Sequence, residues 1–291
     1  MVFLAGLLAA VFLGAGWVLQ QRTAAHAALS DLLSFRLLLH LMNKPVWWLG
    51  ISAMVTGSAL GGWALQLGSV ALVEPLLSAN LLFAFVFAAL LARSRVQWRE
   101  IAGAVLLSAA LAVFIVVGNP HATDVENPSA SSAALAIGVV VAVVAALVAS
   151  ARRRGLLLES AIIAASAGLM YGLQDASTRA GLVVVDHHGV GRLFLAPWPY
   201  VVVASAAIGI LLSQSAFRAA RLDYSLPPTA AAEPIAGVAL GVSVLGDQLS
   251  VSAAGIAVEL VCLVAMVGGV VLIARSGSMR DGSVLHRAGK R

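Results

Sequence analysis

The sequence predicts an all-α membrane protein: nine transmembrane helices in an inverted repeat, with the N-terminus outside and the C-terminus inside. Three observations carry that prediction. Hydrophobic residues make up 61% of the chain and charged residues 11%, against roughly 45–50% and about 25% in soluble domains. Nine segments hold the ~20 predominantly apolar residues that a membrane helix needs. The charges between those segments alternate along the chain.

The segments fall at 2–20, 46–66, 70–92, 99–118, 132–150, 159–180, 198–217, 226–246 and 252–274. No positive region precedes the first of them and Arg22 follows it, so it reads as a retained helix rather than a signal peptide. Between the first two, positions 26–42 set leucines at helical spacing among Asp31, Arg36 and His40. That stretch is too polar to span and is expected to form an interfacial amphipathic helix. From Arg275 onward the chain is polar and basic, which predicts a disordered cytoplasmic tail near anionic headgroups. One polytopic domain over 1–274 results, with repeat 1 at about 1–118, a linking helix at 132–150 and repeat 2 at about 159–274.

Loop charges set the orientation. Arg22, Arg36 and Lys44 lie between the first and second segments, Arg93, Arg95 and Arg99 between the third and fourth, Arg152 to Arg154 between the fifth and sixth, and Arg218 and Arg221 between the seventh and eighth. The 2–3, 4–5 and 8–9 loops carry no lysine or arginine, while the 6–7 loop breaks the pattern with Arg192. Positive loops stay in the cytoplasm. The implied location is an integral protein of a bacterial plasma membrane.

The repeat is legible in residues. Leu19-Gln20 returns as Leu173-Gln174, and a shift of 152 lays Pro75 on Pro227 and Gly103 on Gly255. Trp47-Trp48 opens one segment and Trp198 its counterpart. Five segments separate equivalent positions. Because five is odd, the second copy enters the membrane from the opposite face, an arrangement that secondary transporters use.

Composition also excludes function classes. The net charge of +5 sits in short loops and the tail, so it is not a nucleic-acid footprint. Cys262 is the sole cysteine, which removes intrachain disulfides and thiolate metal sites. No HExxH, GxSxG or Walker pattern occurs, arguing against an enzyme or an ATP-driven pump. No cofactor is expected. Asp186-His187-His188 reads as a surface loop rather than a metal tract.

Charges at membrane depth are functional candidates, because a central charge costs ~2.5–3.5 kcal/mol on insertion scales. The acids within the segments are Glu74, Asp175, Glu233 and Glu259. Asp175 has a possible structural partner in Arg179, four residues on. Glu233 and Glu259 lie deepest, with Glu259 on the final helix, which often stands at a bundle edge. Pro234 follows Glu233, and Pro227-Pro228 precede it. These prolines predict a hinge or helix break that frees carbonyls for a cation. Glu74-Pro75 repeats the dipeptide. Glu233 and Glu74 are therefore the candidate ligands for a metal ion. Gln20, Gln174 and Asn80, with Gln21, Gln66 and Gln214, serve either as interhelical hydrogen-bond glue or as cavity lining.

Short stretches in order carry a family resemblance. They are Lys44-Pro45-Val46-Trp47-Trp48-Leu49-Gly50, Ala71-Leu72-Val73-Glu74-Pro75-Leu76 and Glu100-Ile101-Ala102-Gly103, then Trp198-Pro199 and Asp223-Tyr224-Ser225-Leu226-Pro227-Pro228. The chain resembles the EamA-like drug/metabolite transporter (DMT) superfamily, and more narrowly its NIPA-type branch of magnesium transporters. The resemblance implies alternating access and a small cationic solute, either magnesium or another divalent cation, or an organic metabolite or drug. It departs from the branch at Ser58, where NIPA-type proteins place an acid. The implied partners are membrane lipid, the solute, a proton if transport is coupled, and a second copy if the chain is a homodimer. A non-transporting scaffold or accessory subunit is the rival class; it predicts a packed bundle without a cavity.

Overall fold

The computed structural model describes residues 1–27, 32–67, 76–77, 79–91, 97–118, 130–152, 154–244 and 253–288. Among them the chain is all-helical, without strands. The helices are α1 (Val2–Ala24), α2 (Phe35–Met42), α3 (Pro45–Leu67), α4 (Asn80–Leu91), α5 (Trp98–Gly118), α6 (Ala130–Ala151), α7 (Leu156–His188), α8 (Val190–Leu193), α9 (Trp198–Ala219), α10 (Leu222–Val244) and α11 (Ala253–Ala288).

Among the described residues, five stretches are long and apolar enough to cross a membrane: Val2–Ala24, Ser132–Ala151, Leu156–His188, Trp198–Ala219 and Gly255–Ile273. Their outward faces stay apolar. Leu135 is 70% exposed, Val203 69% and Val264 73%. In water such a surface would aggregate; in lipid it needs no cover, because every helix satisfies its own backbone.

Local chemistry sets the helix ends. Glu100, in the first turn of α5, accepts a hydrogen bond from the Gln97 backbone N–H at 3.0 Å, the returning half of a capping box. Ser34 accepts from Arg36 N at 3.3 Å and starts α2. Gly189, at φ 79°, stops α7 in a backbone conformation that glycine adopts without strain.

Small residues decide which helices meet. A Cβ on Gly14 would lie 2.8 Å from Asn80 O and 2.9 Å from Ala84 N, so α1 and α4 run nearly backbone to backbone. A Cβ on Gly168 would strike Thr229 O, and one on Gly172 would lie 2.5 Å from Glu233 O. α7 and α10 therefore run side by side in the same direction. Gly57 admits Leu13 of α1 to α3, and Gly209 admits the Tyr171 ring to α9. Thus α1 packs on α3 and α4, and α7 packs on α9 and α10. α5 lies against α11: Gly103 faces Ile273 while Leu107 faces Gly269, a register that makes the two antiparallel. α6 packs on α7 and α10.

Cross-helix contacts also place charges. Gln20 near the end of α1 meets Gln214 of α9 and Gly50 of α3, and Ser160 of α7 donates to Ala216 O at 3.0 Å. Arg22, Lys44, Arg154, Arg218 and Arg221 accordingly gather at one end of the bundle. There the Arg221 guanidinium reaches buried Asp223 at 3.3 Å.

Several expectations need correction. The tail is not structureless from Arg275, since α11 continues to Ala288. Asp186, His187 and His188 form the last turn of the 33-residue α7 rather than a loop. α10 is not broken at Pro227, Pro228 or Pro234; all three sit inside one 23-residue helix. Proline's φ suits a helix and its cost is a lost donor and a local clash, which the glycine-mediated packing against α7 offsets. Among the described residues of the amphipathic stretch the helix covers Phe35–Met42, with Leu37 and Leu41 buried. The third segment is helical over Asn80–Leu91, and Glu74 and Pro75 lie outside the described residues.

The tight glycines give a direct test. Gly168→Ala should cost about 1–3 kcal/mol by overpacking against backbone. Gly138→Ala, where nothing lies within 4 Å, should be neutral or stabilising. Thermal unfolding of the purified protein in detergent would rank the two, and equal midpoints would contradict the packing described.

Candidate functional site

A cavity of about 620 Å³ opens between the two groups of helices. α1 contributes Leu13, Trp17 and Gln20; α3 contributes Ile51, Met54, Val55 and Ser58; and α4 contributes Asn80. From the other side come Tyr171, Gln174 and Asp175 of α7, Ala206 and Ile210 of α9, and Leu226, Thr229, Ala230 and Glu233 of α10.

Five sequence candidates thus share one wall: Gln20, Asn80, Gln174, Asp175 and Glu233. Glu233 is half-buried at mid-helix, and its backbone is pinned between Gly168 and Gly172. Asp175 is exposed. Gln20 is buried, donates to Met54 Sδ at 2.7 Å, and accepts from Gln214 Nε2. It is therefore both glue and lining. Thr229 donates to Ala164 O at 2.9 Å and ties α10 to α7 beside the cavity. Tyr171 and Ser213 join their hydroxyls at 3.0 Å.

The prolines matter through donors rather than breaks. Pro234 has no N–H to offer the carbonyl of Ala230, four residues earlier, and Ala230 lines the cavity. Pro227 and Pro228 withhold donors from Asp223 and Tyr224 in the first turn, away from the cavity. Glu259 is not among the cavity residues; it stands half-buried on α11, which packs on α5. Glu74, the other metal candidate, is outside the described residues. Among those described, no cluster of three His, Cys, Asp or Glu side chains is placed to hold a metal.

The residues that composition did not single out are Trp17, Tyr171, Met54 and Thr229. A signal for two of them existed. Trp17 and Tyr171 are separated by the same interval that carries Leu19-Gln20 onto Leu173-Gln174, and Gly14 and Gly168 share it too. The Met54–Ala206 and Ser58–Ile210 pairs obey the 152 spacing. Four matched pairs thus lie in the cavity wall, while its acids are unmatched: Glu233 corresponds to Leu81 and Asp175 to Gln21.

Such a wall can hold a cation. Two carboxylates supply charge, three amides supply oriented dipoles, and two aromatic rings offer faces that attract positive charge. Leu13, Ile51 and Ile210 exclude water from the remainder.

Comparison with known proteins places the chain beside a bacterial relative. It is 28% identical over 275 residues to an uncharacterized protein of Corynebacterium glutamicum, covering 92% of each chain. No family model and no solved structure matches it.

The wall's gradient of access is measurable. In a Cys262→Ala background, Asp175→Cys should react with a water-soluble thiol reagent at least about tenfold faster than Gln214→Cys, as thiolate reactivity follows exposure. Comparable rates would contradict the cavity's shape.

Proposed function

We propose that the chain is a secondary transporter of the DMT type that moves a small cationic solute by alternating access. The observation that carries the reading is the cavity between the two helix groups, with Glu233 and Asp175 on its wall. A packed scaffold or accessory subunit has no use for solvated acids at the centre of an apolar bundle, where charge is costly.

The nine-helix reading belongs to this proposal. α3, α5 and α10, of 23, 21 and 23 residues, are long enough to join the five stretches above at 1.5 Å per residue. The ninth is the third apolar segment of the sequence, 70–92, of which Asn80–Leu91 is the described helix α4. The inverted repeat gains support from three features. α1 packs on α3 and α4 as α7 does on α9 and α10. The equivalent helices α5 and α11 run antiparallel, as equivalents in an inverted repeat do. The cavity wall includes four matched pairs, Trp17 with Tyr171, Gln20 with Gln174, Met54 with Ala206 and Ser58 with Ile210. Basic residues gathered at one end support the N-out, C-in orientation.

In the mechanism, Glu233 neutralises the cation and Asp175 draws it in from the exposed side. If a proton is coupled, a carboxylate on the wall is the group to carry it, because it can bind either the cation or a proton. Two substrates fit the class. Magnesium, keeping part of its water shell, would use the carboxylates and the Ala230 carbonyl. The Trp17, Tyr171 and Met54 side chains favour an organic cation, as aromatic faces and a pliable thioether adapt to varied shapes. A bacterial plasma membrane is the proposed location.

Flux into proteoliposomes decides the matter, comparing magnesium with organic cations, with and without a pH gradient. Glu233→Gln should lower the flux of the true substrate at least about tenfold, equivalent to ~1.4 kcal/mol. Unaltered flux in that variant would remove Glu233 from the mechanism. No flux of any cation by the unmodified chain would overturn the transport reading.

A further inference from the structure

We infer that the described conformation is one of two states related by the repeat. It is shut at the basic end by Gln20–Gln214 and Trp17–Phe217, and open at the other end. The opposite state shuts by laying Gln174 of α7 on α3 at Gly62. The inference rests on the transporter reading and deepens it by naming both gates.

The closed end is built from contacts that cross between the repeats. Gln214 Nε2 of α9 donates to Gln20 Oε1 of α1, and the Trp17 and Phe217 rings meet edge to face with centroids 5.8 Å apart. Phe217 is buried, as are Gln20 and Gln214. The seal is nevertheless a light one. The second amide atom of Gln214, Oε1, is buried with no hydrogen-bond partner, so separating the pair gives back to water a group that is poorly satisfied here.

The repeat converts each of these residues into another. Gln20 becomes Gln174 and Trp17 becomes Tyr171, while the 152 spacing carries Gln214 back to Gly62 and Phe217 back to Leu65. The counterpart of the α1–α9 seal is therefore an α7–α3 seal at the far end. That seal is unmade. α1 and α9 form a packed pair, whereas α3 and α7 do not among the described residues. Nothing lies within 4 Å of where a Gly62 Cβ would stand. Asp175, beside Gln174, is exposed to the opening.

A cavity shut at one end only is half of an alternating-access cycle. Within each repeat the first and second helices are locked by close approaches, Gly57 against Leu13 and Gly209 against Tyr171, so each pair moves as a body. Exchanging the two bodies' arrangements makes one seal as it breaks the other. Gly62 at the receiving position leaves room for the Gln174 side chain, as a larger residue would not. The sealed end carries Arg22, Lys44, Arg218 and Arg221, which makes it cytoplasmic. The described state is therefore open outward.

Paired cysteines in the Cys262→Ala background test this in membrane vesicles, with no substrate present. Gln20→Cys with Gln214→Cys should cross-link with a short thiol reagent, and Gly62→Cys with Gln174→Cys should do so as well, because both states are visited. Cross-linking of the first pair without the second would overturn the second state. As a measurement that does not depend on those double variants folding, a single Asp175→Cys should be labelled by a membrane-impermeant reagent from the non-cytoplasmic side. Adding Gln214→Leu should slow that labelling by up to about fivefold, the population change that one net hydrogen bond gives. Labelling from the cytoplasmic side alone, or no change on adding Gln214→Leu, would overturn the gate assignment. These readings need no flux, so a failure of transport and a failure of the gates are told apart.

Discussion

The contact on which the rest of this molecule depends is the one between two glycines of α7 and the backbone of α10. Gly168 and Gly172 stand one turn apart and touch Thr229 and Glu233 main-chain atoms. No side chain separates the helices there, so α10 lies as close to α7 as backbones allow. In lipid, where tails are as apolar as leucine, such close packing supplies the attraction that the hydrophobic effect supplies in water. The Thr229 hydroxyl adds a hydrogen bond to Ala164 O across the same seam. With its own N and O against the two glycines, Glu233 cannot slide or rotate freely. Its backbone is held beside the cavity wall by main-chain and alanine Cβ contacts with the two glycines.

The same device explains how a helix with three prolines stays a helix. Each proline removes one donor and crowds the turn before it. The seam with α7 holds α10 in register across those defects, and the missing donors become a property of the wall: Pro234 leaves Ala230 without its helical N–H partner beside Glu233. A break would have given the same carbonyl at greater cost in order. Here coordination capacity is obtained from an intact helix.

Symmetry and asymmetry divide the labour. The scaffold repeats: Gly14 and Gly168 bring in the third helix of each half, Gly57 and Gly209 the second, and Trp17 and Tyr171 face the same space. The charge does not repeat. In the proposed cycle, matched residues would give two states of similar energy, which exchange requires. Unmatched acids give the space a single centre of negative charge, one that need not be handed between two equal sites. The Gln20–Gln214 seal belongs to the symmetric layer and Glu233 to the asymmetric one.

What the sequence determined alone follows from solvent. Apolar runs of membrane length fixed the helical class and the list of polar residues at depth, and the recurring Leu-Gln, Pro and Gly pattern suggested a duplicated plan. It could not say which of those residues meet. A membrane helix is apolar on nearly every side, as α11 is between Gly255 and Ile273 apart from Glu259, so periodicity does not tell which face looks inward. Glu233 and Glu259 were equally deep by sequence, and only the packing of α10 on α7 and of α11 on α5 separates the first, on the cavity wall, from the second, off it. Likewise Gln20 and Gln214 lie 194 positions apart, and no local rule pairs them. Tertiary structure alone brought Gln20 of α1 onto Gln214 of α9 and Trp17 onto Phe217, because such contacts are set by how helices pack and not by any local pattern.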